Sequence, residues 1–122
     1  MTIPMRRLID DDGSATVLGA WAIAALTMII VLMLYVGAAV IGRHRAQSAA
    51  DLAALGGAIS QLAGQDACEK VADIVHRQAT NARLGRCETV GDDVVVTVII
   101  GITLGHWGIR EARASARAGP VE

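Results

Sequence analysis

Between Ala15 and Gly42 the chain runs for 28 residues without one charged side chain. Ile29, Ile30, Val31, Leu32, Met33 and Leu34 form its most apolar stretch. About 20 apolar residues in a helix cross a bilayer's hydrocarbon core, and this run exceeds that. A core helix of a soluble domain would need a shell around it. Only the 80 residues from Arg43 to Glu122 remain, rich in Ala and with Trp107 as their one aromatic. They can bury only a small core. A cleaved secretory signal is the nearer rival. Arg6 and Arg7 suit its basic start, but Asp10, Asp11 and Asp12 interrupt the join, and the run is longer than the usual ~7–15-residue apolar region. The run reads as a single membrane-spanning helix. Its polarity is not decided by charge, since Arg6 and Arg7 precede it and Arg43 and Arg45 follow it.

Charge removes another class. Lys and Arg number 11 against 12 acids, a net charge of −1. With no basic excess to displace counterions from phosphates, a nucleic-acid partner is not expected.

Past Arg43 no Pro or Gly intervenes before Gly56, so the helix is expected to continue over 43–64. Leu52, Leu55, Ile59 and Leu62 recur at spacings of three and four and mark an apolar stripe on it. Gly56 and Gly57 weaken this stretch and suggest a kink or an end. Unbroken from Ala15 to Leu62, the helix would measure about 70 Å. A second helix starts at Asp66, with Glu69 completing a capping box. Cys68, Val71, Val75, Ala79 and Ala82 share one face of it, and Gly85 stands where a stop belongs. The period then changes to two. Val94, Val96, Val98, Ile100, Ile102 and Leu104 alternate with Val95, Thr97, Ile99, Gly101 and Thr103 in a β-branched strand that Asp92 and Asp93 introduce as a turn. Gly105 to Gly108 supply the next turn, and Ala112, Ala114, Ala116 and Ala118 read as a returning strand. The expected fold is α+β: a long N-terminal transmembrane helix, a second short helix, and a small antiparallel β-hairpin or sheet. The divisions are 1–13, leader-like; 14–42, transmembrane; 43–64, helix continuation; and 65–122, a small helix-plus-strands domain.

Few residues offer chemistry. Cys68 and Cys87 are the only cysteines. A bridge between them would contribute roughly 3 kcal/mol by closing a loop of this length, whereas a reducing compartment would keep two buried thiols. Helical rise sets a condition. If the second helix is full length, Asp66 to Leu84, its ends lie some 25 Å apart, and cysteine Cα atoms must approach within ~7 Å. Either the bridge forms and the helix is shorter, or the helix is full length and the thiols stay apart. A metal site with His76 lacks paired ligand spacing. His44, His76 and His106 fall in separate segments, and no nucleophile motif, phosphate loop or carboxylate pair appears. No catalytic, metal or cofactor residue is expected. Asp51, set among alanines, is either a solvated helix residue or a structural one.

The order of these pieces resembles a known family. Gly13-Ser14-Ala15-Thr16-Val17, the apolar run, and Arg43-His44-Arg45-Ala46-Gln47-Ser48-Ala49-Ala50-Asp51-Leu52-Ala53-Ala54-Leu55 look like the TadE/TadG-like pseudopilins of the tight-adherence (Flp) pilus. Cys68, Asn81-Ala82-Arg83-Leu84 with Cys87, Asp93-Val94-Val95-Val96 and Ala116-Arg117-Ala118-Gly119-Pro120 are similar to a narrower branch, the helicase/secretion-neighbourhood TadE-like proteins of high-GC Gram-positive bacteria. The resemblance implies a pilin-like fold and a minor pseudopilin or assembly component of a Tad/Flp-type pilus or related secretion apparatus, not an enzyme. It implies a leader cut by prepilin peptidase at Gly13–Ser14, although pilin-type substrates carry Glu five residues after the cut and this chain has Leu18. It also implies the leader inside and the Cys-bearing domain outside the cytoplasm, where an oxidising compartment favours Cys68–Cys87. Expected partners are other pilin-like membrane helices, which Ala20, Ala24 and Ala25 would let approach closely, pilus or secretion assembly proteins, and membrane lipid. The alternative is a membrane-anchored or secreted envelope effector no longer part of a pilus.

Overall fold

The computed structural model describes residues 6–78, 81–102 and 111–121, with side chains from residue 13 onward. The fold is α+β: α1 (Arg6–Leu62), α2 (Ala67–Gln78), β1 (Ala82–Val90), β2 (Asp93–Gly101) and β3 (Glu111–Ala118). The three strands form one antiparallel sheet in the order β1-β2-β3. The chain divides into two compact units, Met1–Val36 and Gly37–Glu122.

The described residues of the first unit, 6–36, all belong to α1. From residue 13 through 34 every one is exposed, including Trp21, Met28, Leu32 and Leu34. A helix that is apolar on all sides and covered by nothing needs hydrocarbon or other helices around it. This is the one helix here long and apolar enough to cross a membrane, among the described residues.

The second unit owes its packing to small residues. Ala46, Ala49, Ala50, Ala53, Ala54 and Ala58 on α1 are buried, and they cluster with Val71 and Val75 of α2 and with Val94, Val96, Val98 and Ile100 of β2. Methyl groups let the helix backbone lie close to the neighbouring elements. The largest fully buried side chains are valines, so the core is thin. Gly56 and Gly57 do not end α1, which continues to Leu62. They are sites of close approach. A Cβ on Gly57 would stand 2.6 Å from Val71 Cγ2 and 3.2 Å from Val94 Cγ1, and one on Gly56 would stand 2.2 Å from Ile74 Cδ1.

Asp66 caps α2 through its Oδ1, which accepts from the backbone N–H groups of Cys68 at 3.0 Å and Glu69 at 3.2 Å. The far end departs from expectation. α2 stops at Gln78, and Ala82 to Val90, expected to hold the helix end and its stop, is strand β1. Gly85 is not a helix stop but the point where the β1–β2 register shifts, between Leu84 and Arg86. A Cβ there would meet Ile99 Cδ1 at 2.9 Å and the Thr97 carbonyl at 3.3 Å. β1 and β2 join through the two-residue loop Gly91-Asp92, flanked by the pair Val90 and Asp93. Gly91 has φ +62°, the positive value that hairpin turns of this length favour at their first central position. Asp93 is thus the first residue of β2 rather than part of the turn. β3 pairs with β2 from Val94↔Ala118 to Gly101↔Glu111. The expected turn at Gly105 to Gly108, His106 and the strand end at Leu104 lie outside the described residues.

Candidate functional site

The first candidate is the surface of α1. Gly13 and Ser14, expected to flank a processed bond, lie inside this helix and are exposed, and nothing stands within 4 Å of a Cβ added at Gly13. Further along, the stripe expected from spacing exists but faces outward. Leu52 is 55% exposed, Leu55 54%, Ile59 59% and Leu62 70%. At 100° per residue these four point away from the buried alanines on the same helix. The large side chains are therefore left uncovered.

The second feature is the join between α2 and the sheet. Cys68 and Cys87 are disulfide-bonded, with Cα atoms 5.8 Å apart. Element lengths explain why they meet. From Cys68 to the end of α2 is about 15 Å of helical rise, and from Ala82 back to Cys87 is about 17 Å of strand. The two spans are nearly equal, so Cys87 on β1 comes level with Cys68 in the first turn of α2. The shorter helix removes the distance conflict that a helix reaching Leu84 would create.

The outer face of the sheet carries charge. Arg83 pairs with Glu111 across β2, Arg86 with Glu88, and Arg117 with Asp93. Arg113 lies 3.6 Å from Glu111. These pairs are exposed and contribute little to stability. Ile99, buried on β2, has Arg83 and Arg113 as its register neighbours. Thr97 and Ser115 join β2 to β3 by a 2.7 Å hydroxyl hydrogen bond.

The remaining singled-out residues do not converge. Asp51 is exposed and accepts from Gln47 Nε2 at 2.9 Å, the same nitrogen lying 3.4 Å from the Ser115 carbonyl of β3. It positions a helix-to-strand contact. His44 lies on α1 and His76 in the last turn of α2. Among the described residues no group of three or more His, Cys, Asp or Glu side chains could hold a metal ion. Sequence reasoning missed the buried alanine face, although Ala46, Ala50, Ala53 and Gly57 recur at helical spacing.

Comparison with known proteins agrees with the helix-centred picture. Residues 13–61 match the model of a family described as Flp pilus-assembly TadE/G-like. The match spans α1 from the expected processing site almost to its end, and the bridge and sheet lie outside it. No curated protein and no solved structure gives a significant match.

Proposed function

We propose that this chain is a minor pseudopilin or assembly component of a Tad/Flp-type pilus or a related secretion apparatus, anchored in the membrane by α1. One observation carries the reading: the segment that matches the pilus-assembly family is the segment whose large apolar side chains are left uncovered. The spacing of Leu52, Leu55, Ile59 and Leu62 is that of a narrow seam, which one partner helix covers. Residues 14–42 cross the membrane, 43–64 carry the helix beyond it, and 65–122 form a domain outside the cytoplasm. The Cys68–Cys87 bridge supports that side, because oxidising compartments preserve disulfides. Residues 1–13 act as a leader removed at Gly13–Ser14. Since that bond lies within α1, the helix start must unwind for a peptidase to reach it.

The partners are other pilin-like helices and assembly proteins of the same apparatus, with lipid around the span. No catalysis is assigned. Affinity isolation of the full chain from gently solubilised native membranes should bring pilus-assembly proteins with it. Their absence, with the chain still in the membrane fraction, would replace this reading with that of an envelope protein outside any pilus. Leu18 is the observation that favours that second reading, since it stands where pilin-type substrates carry Glu.

A further inference from the structure

We propose that a cleft beside α1, at the end of the uncharged run, binds the phosphate headgroup of an anionic membrane phospholipid, an inference that rests on the membrane reading above. Two hollows adjoin there and share Arg45, Asn81 and Ile100. The larger, about 480 Å³, adds His44, Ser48 and Gln78, each able to donate a hydrogen bond, while Asn81 Nδ2 already donates to the Gly101 carbonyl at 2.8 Å. Among the described lining residues it has no carboxylate. The smaller, about 250 Å³, adds Ala38, Ile41, Gly42 and Ile102, a hydrocarbon surface. Donors beside an apolar trough match an anion that carries an acyl chain.

The ion-pair pattern points the same way. Arg77, Arg83, Arg86, Arg113 and Arg117 each face a carboxylate of this chain. Of the arginines whose side chains are described, Arg43 and Arg45 have no such partner among the described residues. Both follow directly after the uncharged run, where headgroup phosphates lie. Only Arg45 lines the cleft. Gln78 also lines the cleft, and its Nε2, closed off from solvent, has no hydrogen-bond partner among the described residues. A phosphate offers acceptors to a guanidinium and to neutral donors together.

The two arginines separate a built site from the attraction of any boundary cation to an anionic surface. The full chain, solubilised in detergent, is titrated with phosphatidylglycerol and with phosphatidylcholine, and bound lipid is counted by native mass spectrometry. Arg45→Gln and Arg43→Gln lose the same charge on exposed positions and are compared with the wild type. The site predicts a preference for phosphatidylglycerol that falls roughly fivefold or more in Arg45→Gln, the loss of a charge-assisted contact, and persists in Arg43→Gln. Equal losses in both variants, or no headgroup preference in the wild type, overturn it. Displacement of phosphatidylglycerol by millimolar inorganic phosphate assigns the cleft to the free anion and overturns the lipid. Fractionation of the same cells keeps the premises apart: a failed titration with the chain in membranes sinks the cleft alone, while a wild-type chain in the soluble fraction sinks the membrane reading as well.

Discussion

Gly57 shows how single residues govern the second unit. In an exposed helix, Gly to Ala gains about 1 kcal/mol from propensity. Here the new methyl would overlap Val71 Cγ2 and crowd Val94. Both neighbours are fully buried and β-branched, with little rotamer freedom to yield. Overpacking of this kind costs about 1–3 kcal/mol. Gly57→Ala should therefore lower the thermal midpoint of the full chain in detergent, followed by circular dichroism. Gly56→Ala meets only the tip of the half-buried Ile74, which can rotate away, and should be near neutral or stabilising. A Gly57→Ala protein as stable as the wild type would mean that α2 does not lie against α1 as described.

At the scale of elements, what could be read beforehand depended on an unbroken period. The apolar run, the Asp66 cap, and the alternation of Val94 to Ile100 each signal one structure, and α1, the start of α2, and β2 follow them. β1 was hidden because the register shift at Gly85 changes its phase. Ala82 and Leu84 pack against the core before it and Cys87 after it, so no template of period two fits the whole strand. The inward face of α1 was hidden for another reason. Apolar periodicity weights Leu above Ala, but a helix lying close to its neighbours selects for small volume, and this turned the leucine stripe outward. Of the sites, the cysteine pair was visible as a choice between two outcomes, and the length of α2 decides which geometry is possible. The apolar run itself makes a quantitative claim. Leu32→Arg places a charge near its middle, at a cost of at least ~2.5 kcal/mol on insertion scales. The variant should shift from the membrane pellet toward the soluble or degraded fraction, and unchanged partitioning would argue against a span there.

For the whole molecule, processing, compartment and assembly can each be read from the intact chain. When it is coexpressed with an active prepilin peptidase, the mass should fall by that of Met1 to Gly13, and Gly13→Ala should slow the change. A mass that stays at full length under those conditions would leave the leader in place. Alkylation without reduction, on protein taken from native membranes, should add nothing to Cys68 or Cys87, and two adducts would contradict both the bridge and the outward placement of this domain. Assembly is the central claim, and it predicts which face of the molecule is covered in the cell. A photo-reactive residue at Leu55, on the exposed seam of α1, should form covalent adducts with pilin-like membrane proteins of the apparatus in living cells, while the same residue at Val95, on the outer face of the sheet, should form few. Adducts from Val95 with none from Leu55, in a chain recovered from the membrane fraction, would contradict assembly through α1.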